Sequence, residues 1–494
     1  MLGEWSSHGE YQQQMTVVLS AIARVNPDLV LEYADPISKV YILDLDPLKV
    51  LVGPLYSTTG RPSKNQAEIF RSFVLMNALG FCLDKWIEKL SFNPVLRAAC
   101  GFKGKPPGVA SYYDLINRIV KLDEKPRNKR KKRKPRIKHG KNKLPPKHPG
   151  IVGKLMGQIL NGRRFNHRPE RLLQEIFAQV CVQPSIDLGL VPTTVSISGD
   201  GTCILTGASH YGVRTCECRN NGIYDCDCPR RFSDPNAAWG WDSHKQQWFY
   251  GYTGYFISTY NKAEKLDLPL YLRIVDAARH DSVTAVVALA EFRDLYPNLT
   301  VDTFISDSAS DNYATYELLD KWNINGVIAL NPTNSGNRKY PGHLDINDKG
   351  VPICPGGREM IYWGFSKNPC RLKWRCPWLA GNLRRCPACD NCSPSPYGRT
   401  IYTKPDWDLR LFTRIPRGSE RFKEKMKERT ASERVNNRIL NHYGLEDSKV
   451  RGKKRISFFA AIAGFNIHLD AQLAKLKALD LFVFNALFGV SAAA

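Results

Sequence analysis

The sequence predicts an α/β protein in which a helical N-terminal region precedes a region of alternating strands and helices. Apolar residues recur at helical spacing from about 60 to 123, and β-type runs alternate with helical stretches between 195 and 330. With 494 residues, the chain is long enough for two or three domains. We therefore expect a helical domain at 1–123, a linker at 124–150 and an α/β domain at 151–494.

The net charge of +24 is the least ordinary feature of the composition. Such an excess of Lys and Arg indicates a polyanionic partner, either nucleic acid or an anionic membrane surface. No apolar run reaches the roughly 18–20 residues that span a bilayer, and the N-terminus lacks the features of a signal peptide. We expect a cytoplasmic protein with no membrane partner, and nucleic acid as the favoured ligand.

Capping patterns divide the helical N-terminal region into separate helices. Ser63 with Gln66, and Ser111 with Asp114, have the spacing of capping boxes at helix starts. The simplest interpretation is a helical bundle. The functional alternative is a helix-turn-helix module that reads DNA.

The linker is the most basic segment of the chain. Residues 125–147 contain 13 Lys or Arg and no acid, including the run Lys129, Arg130, Lys131, Lys132, Arg133 and Lys134. A phosphate backbone would bind such a segment with strong salt dependence. We predict a linker that contacts DNA, and a solvated charged segment is the alternative.

Five strand candidates follow, at 195–200, 248–258, 269–275, 301–306 and 325–330, with helices at 282–295 and 313–322 between the last three. Three strands, a helix, a strand, a helix and a strand is the order of an RNase H-like sheet. A long insertion at about 331–425 then precedes a helix that carries Glu433. A final apolar helix at 456–476 is expected to pack on the sheet.

Three acids occupy positions that suit a two-metal site. Asp200 and Asp307 each end a predicted strand, and Glu433 lies in the helix after the insertion. Two Mg²⁺ (or Mn²⁺) ions need shared carboxylate ligands, which neighbouring strand ends and a facing helix can supply. The competing acids are Asp302 and Asp311 for the second position, and Glu424 and Glu428 for the third.

Arg429 favours Glu433 over its competitors, because residues four apart share a helix face. An arginine beside a metal-binding glutamate could grip the scissile phosphate. The alternative is an ordinary surface ion pair. Further basic residues predict DNA contacts after this helix: Arg438, Lys449, Arg451, Lys453 and Lys454.

Ten of the 14 cysteines form two clusters of the kind found at metal sites. Cys216, Cys218, Cys226 and Cys228 could hold one tetrahedral Zn²⁺. Inside the insertion lies a second cluster of Cys354, Cys370, Cys376, Cys386, Cys389 and Cys392. Of these, Cys386, Cys389 and Cys392 form overlapping Cys-x-x-Cys units, which could close a Zn²⁺ site with Cys370 and Cys376. Reduced thiols in a loop-rich insertion are the alternative.

Most of the chain resembles the DDE transposases of bacterial insertion sequences, in the group with a Tyr-Arg-Glu-Lys signature helix. Six segments carry the resemblance. In the helical region they are Gly60-Arg61-Pro62, Asn93-Pro94-Val95-Leu96-Arg97 and Gly101-Phe102; around the three acids they are Ser198-Gly199-Asp200-Gly201-Thr202, Ser306-Asp307-Ser308 and Arg429-Thr430-Ala431-Ser432-Glu433-Arg434. The Arg and Glu of the signature are present, whereas Met426 and Leu440 stand at its Tyr and Lys positions.

The resemblance implies an activity and its partners. Asp200, Asp307 and Glu433 would hold the catalytic metal ions, and the enzyme would cut double-stranded DNA at the ends of its element and join them to target DNA. A homodimer that pairs two DNA ends, associated with the bacterial nucleoid, is implied as well. The alternatives are an RNase H-like structure-specific endonuclease and a non-catalytic, zinc-stabilised DNA-binding protein.

Overall fold

The protein is a mixed α/β structure, as predicted. The computed structural model describes residues 1–121, 128–130, 150–165, 170–331, 340–341, 344–381, 386, 388, 392–446 and 450–490. At 128–130 only the backbone is described. The predicted domain boundaries at 123 and 150 border on residues outside these ranges and stay predictions.

Helices occupy the described N-terminal region up to residue 121. They are α1 (His8–Val25), α2 (Pro27–Leu31), α3 (Ala34–Ile42), α4 (Asp46–Val52), α5 (Gln66–Ala78), α6 (Leu83–Phe92), α7 (Pro94–Cys100) and α8 (Val109–Val120). Both predicted capping boxes are wrong. The N-cap of α5 is Asn65, whose φ of +61° is left-handed, and that of α8 is Gly108, and neither makes a side-chain cap bond.

Short elements connect the helical region to the main sheet. Strand β1 (Asn128–Arg130) precedes α9 (Ile151–Leu160), α10 (Arg171–Ile176) and α11 (Gln183–Asp187), with a π-helical turn at 177–182 between the last two. Strand β1 does not join the main sheet. It pairs with β4 (Pro229–Arg231), which also pairs with β3 (Val213–Arg214).

The main sheet contains the five predicted strands and one further strand, at 238–242, that the sequence does not predict. Its members are β2 (Thr194–Leu205), β5 (Ala238–Asp242), β6 (Gln247–Asn261), β7 (Leu266–Asp276), β8 (Thr300–Ser306) and β9 (Asn325–Ile328). The order across the sheet is β7-β6-β2-β8-β9, and β5 pairs with the start of β6. The strand β2 is antiparallel to β6 and parallel to β8, which is parallel to β9.

Two helices link the last strands of this sheet. They are α12 (Asp281–Leu295) between β7 and β8, and α13 (Tyr313–Lys321) between β8 and β9. Almost every residue of α12 from Ser282 to Phe292 is buried, which explains why its sequence lacks a polar face.

The insertion contains a small antiparallel sheet of its own. Strands β10 (Ile361–Lys367), β11 (Cys370–Arg375) and β12 (Thr400–Thr403) pair in that order, and α14 (Pro377–Ala380) follows β11. Its separate core consists of seven buried residues: Val351, Cys354, Met360, Leu372, Trp374, Ile401 and Phe412.

Four helices complete the described chain: α15 (Glu420–Lys427), α16 (Thr430–Asn437), α17 (Lys453–Ala478) and α18 (Phe484–Phe488). The helix α17 packs on the sheet, as predicted, since His468 Nε2 lies 2.7 Å from the Pro269 carbonyl oxygen. It also contacts the N-terminal helices, because Asn466 Nδ2 donates to the Val74 carbonyl at 3.1 Å. One continuous hydrophobic core therefore joins the helical region to the sheet.

By length and composition, α17 could cross a membrane, and it is the one such helix within the described residues. Its most apolar window of 18 residues is 89% buried inside the protein. That burial is typical of the core helix of a folded domain.

Candidate metal and phosphoryl-transfer site

Asp200 lies within strand β2 rather than at its end. The strand continues to Leu205 because its pairing with β6 continues, whereas its pairing with β8 stops at Gly199 opposite Ser306. The next residues are Asp200 and Asp307. Neighbouring strands lie about 4.8 Å apart. The backbone positions of Asp200 and Asp307 are therefore adjacent, at the edge of the site where the β2–β8 pairing ends.

Two side-chain hydrogen bonds hold α16 against β2. The hydroxyls of Ser432 and Ser198 are 2.6 Å apart, and Asn436 Nδ2 donates to Asp200 Oδ2 at 3.0 Å. Ser432 and Asn436 are one turn apart on the helix, and their partners are two residues apart on one face of the strand. The helix therefore lies along the strand, and it places Glu433 on the same side of the site as Asp200.

Glu433 and Arg429 share one face of α16 and form an i,i+4 ion pair, the contact that the sequence offers as the alternative to a phosphate-binding role. Arg429 Nη2 donates to Glu433 Oε1 at 2.5 Å, and both side chains are partly exposed. An exposed ion pair of this kind contributes little to stability. Both groups remain accessible to a ligand at this edge.

The charge around Asp200 is strongly negative. Burial, followed by the negative charges of Asp307, Asp281 and Glu433, raises the pKa of Asp200 to about 7, while Arg429 opposes this rise. Carboxylates crowded in this way repel one another unless a proton or a cation intervenes. Hard divalent cations favour such a set of oxygen donors.

Asp281 is a fourth acid at this site, and the sequence reasoning missed it. Burial, followed by the charge of Asp307, raises its pKa to about 6. A Cβ at Gly201 would lie 2.6 Å from both Asp281 carboxylate oxygens, so only glycine fits beside this carboxylate. The available signal is the position of Asp281 as the first residue of α12, after its N-cap His280.

The same contact explains the Asp-Gly dipeptide at 200–201. This dipeptide is common in turns, but here it lies inside a strand. Successive residues of a strand face opposite sides. Asp200 therefore faces α16, and Gly201 leaves room for the Asp281 carboxylate on the other side of the strand.

The competing acids have other partners. Asp311 is fully buried and pairs with Arg410 at 2.7 Å, and the N-cap of α13 is Asn312 rather than Asp311. Asp302 accepts a hydrogen bond from Asn325 at 3.2 Å. Glu428 accepts from Lys425 at 3.1 Å. Glu424 is exposed on α15.

The predicted DNA-binding residues are only partly free to bind DNA. Arg438 pairs with Asp470 at 3.4 Å, and Lys453 pairs with Glu170 at 2.6 Å. Lys454 donates to the Lys121 carbonyl, and Arg451 is exposed. The positions outside the described side chains are Lys129, Arg130, Lys131, Lys132, Arg133 and Lys449.

The cysteines between β3 and β4 form a compact group. The ligand atoms of Cys216, Cys218, Cys226 and Cys228 all lie within 4.8 Å of one another, and the sulfurs of two pairs are 3.5 Å apart. These separations are too long for disulfides, whose S–S bond is about 2.05 Å. Hydrogen bonds to Cys216, first from the Cys218 backbone and then from the neighbouring thiols, lower its pKa to about 7. The four thiols could hold a metal ion.

In the insertion, the described cysteines differ from the predicted set. Cys370 is exposed at the start of β11, opposite Lys367. Cys376 follows the other end of that strand and is buried. Six residues of extended chain span about 20 Å, so Cys370 cannot share a site with Cys376. Cys386 and Cys392 are half-buried, and Cys389 lies outside the described residues.

A scan against models of protein families finds no match, and a search of curated proteins finds none either. The functional conclusion therefore depends on the residues and geometry of these sites.

Proposed function

We propose that this protein is a DDE transposase with an RNase H-like core, which cuts DNA at the ends of its element and joins them to target DNA. The observation that carries the proposal is that β2, the end of β8 and the helix α16 meet at one place. Asp200 lies in β2 and Asp307 directly follows the adjacent parallel strand β8, and α16 brings Glu433 there through the bond between Asn436 and Asp200. The strand order β7-β6-β2-β8-β9 supports the RNase H-like assignment.

Asp200, Asp307 and Glu433 would hold Mg²⁺ or Mn²⁺, because the raised pKa of Asp200 marks a crowded set of oxygen donors that suits a hard cation. Bound divalent ions supply activation of the attacking oxygen and stabilisation of the leaving oxygen. In the first reaction, water attacks the phosphorus, the P–O3′ bond breaks, and the element end keeps a free 3′-hydroxyl. In the second, that 3′-oxygen attacks a phosphorus of the target and displaces its 3′-oxygen.

Residues of this chain would position the reacting groups. Asn436 orients Asp200 by donating to one of its oxygens, so the other oxygen stays open to a ligand. Arg429 can exchange its exposed partner Glu433 for a phosphate when Glu433 binds metal. Met426 and Leu440 lie in hydrophobic clusters, so DNA contacts made by Tyr and Lys in relatives would come from other residues.

We also assign zinc to the Cys216 group. Tetrahedral zinc with Zn–S bonds of about 2.3 Å separates its sulfurs by about 3.8 Å, close to the 3.5 Å found for two pairs here. Such a site would be structural, since four protein ligands leave no open position.

The test uses purified full-length protein, Mg²⁺, and plasmid DNA that carries the genomic segments flanking the gene. The wild type should produce cut ends with 3′-hydroxyls and joined products, whereas Asp307→Asn should produce neither. Cutting without joining would instead favour a structure-specific endonuclease. Cutting that persists in both Asp200→Ala and Asp307→Asn would overturn the assignment.

A further inference from the structure

The buried thiol of Cys354 lies in the insertion at a tight turn. Gly357 N donates to the Cys354 carbonyl at 2.8 Å, and Cys354 N donates to the Arg358 carbonyl at 2.9 Å. The side chain is only 5% exposed. It therefore differs from Cys370, which is exposed at a hairpin end.

Three side chains converge on Gly356 within this turn. A Cβ there would lie 3.3 Å from Cys386 Sγ, 3.7 Å from Cys354 Sγ and 3.2 Å from Trp378 Nε1. The two sulfurs therefore face one small space, which a larger residue at 356 would fill. The absence of a side chain at Gly356 keeps this space open.

The Trp378 indole is the second observation that indicates a ligand. Its Nε1 is buried and has no hydrogen-bond partner among the described residues. Buried donors are nearly always satisfied, and an exception commonly marks a missing ion or water. Thiolates that bind a metal accept hydrogen bonds from surrounding N–H groups, and two sulfurs lie beside this donor.

Cys376 and Cys392 border the same region. Cys376 is 7% exposed, and a Cβ at Gly398 would lie 3.1 Å from its sulfur. The Cys392 thiol lies near enough to those of Cys376 and Cys386 to interact electrostatically with each of them.

We propose that Cys354, Cys376, Cys386 and Cys392 bind a second structural Zn²⁺ ion, and that Cys370 takes no part. Four thiolates are a complete ligand set for structural zinc. Within the described chain only the Cys216 group has its ligand atoms within 4.8 Å of one another, so the second set draws closer when metal binds. The insertion core has only seven buried residues, and small cores gain much stability from a metal.

Metal analysis of the purified full-length chain tests the proposal. The wild type should contain two zinc ions per chain, Cys354→Ser one, and the matched control Cys370→Ser two. A Cys354→Ser protein with two zinc ions, or a Cys370→Ser protein with one, would overturn the ligand set. The expected total of two zinc ions per chain rests on the proposed zinc in the Cys216 group. The expected difference in zinc content between the variants does not depend on that site.

Alkylation of the unmutated protein provides a measurement that does not depend on a variant folding. Cys370 should react at once, while Cys354, Cys376, Cys386 and Cys392 react only after a chelator removes the zinc. Reaction of Cys354 at the same rate with and without chelator would reject the site. Zinc content and alkylation are independent of DNA cleavage, so this proposal and the transposase assignment can fail separately.

Discussion

At the scale of single residues, two glycines determine what surrounds Asp200. A Cβ at Gly199 would collide with the Tyr255 hydroxyl, and one at Gly201 would collide with the Asp281 carboxylate. The missing side chains let a tyrosine and an acid approach the strand. The pKa of the buried Tyr255 is raised well above its usual value by burial and by the carboxylates of Asp281, Asp200 and Asp307.

Asp200→Asn should stabilise the metal-free protein at alkaline pH. The folded-state pKa of Asp200 is raised from 3.8 to about 7, so its contribution to stability is present below about pH 4 and is lost as the pH rises towards 7. The Asp200→Asn substitution removes this loss of folding stability. Thermal unfolding in a chelator should show a higher Tm for the variant at pH 8 and a smaller difference at pH 5.

Asp294→Asn is the matched control for that measurement, because Asp294 is an exposed carboxylate on α12. Its Tm difference from the wild type should be the same at both pH values. Equal Tm differences for Asp200→Asn at pH 5 and pH 8 would contradict the repulsion inferred at the site.

Asp281→Asn should weaken metal-dependent cleavage without unfolding the protein. Asp281 adds negative charge beside Asp307 and Asp200, so its neutralisation should raise the Mg²⁺ concentration needed for half-maximal activity. A loss of ~10–100-fold is typical of residues that support metal ligands. A Mg²⁺ titration identical to that of the wild type would show that Asp281 has no part in metal binding.

Asn436→Ala should reduce cleavage by ~10–100-fold, because Asp200 loses the donor that orients it. The adjacent Asn437 is exposed on the same helix, and Asn437→Ala serves as the control with near wild-type activity. Initial cleavage rates at saturating Mg²⁺ provide the comparison. Similar losses in both variants would indicate damage to α16 rather than a positioning role for Asn436.

At the scale of elements, the sequence predicts strand order well and long-range partners poorly. The five strand candidates occur close to their predicted positions, because β-type runs separated by polar turns are a local signal. The residue at which β2 ends does not follow from a local signal. The strand continues past Asp200 because β6 extends beside it. Asp281 is missed because Gly201, the residue beside its carboxylate, is distant from it in sequence.

A buried ion pair attaches the insertion to the start of α13, and breaking it should be costly. Arg410 binds Asp311 through its Nε and Nη2, and both side chains are almost fully buried. Arg410→Met should lower the free energy of unfolding by about 3–5 kcal/mol, because Asp311 is left buried without this partner. Urea unfolding measures the change.

Arg414→Met is the control for this prediction. Arg414 pairs with Asp320 at 2.8 Å, but both side chains are partly exposed. The expected loss is about 0–1 kcal/mol. Equal losses for the two variants would show that the pair of Arg410 and Asp311 is not a special contact.

At the scale of the whole molecule, α17 connects the helical region to the sheet. Phe465 on α17 packs against both Phe70 of α5 and Phe177 beside the sheet, with ring centroids 5.4 Å and 5.8 Å apart. Gly464 permits this close packing, since a Cβ there would lie 2.8 Å from Leu272 and from Phe177.

The shared core predicts that the helical region and the sheet unfold together. Hydrogen exchange in increasing denaturant should show amides of α5 and β2 losing protection at the same concentration, because both belong to one hydrophobic cluster. Loss of protection in α5 at a clearly lower concentration would mean that the N-terminal helices form an independent domain.

The place of α17 in the chain also affects how the protein is made. This helix is synthesised after both of the regions that it connects. Until it leaves the ribosome, the apolar surfaces of α5 and β7 that it covers have no partner, and such surfaces favour aggregation or chaperone binding. Completion of the core and the approach of α16 to Asp200 should therefore be late events, delayed until α17 has left the ribosome.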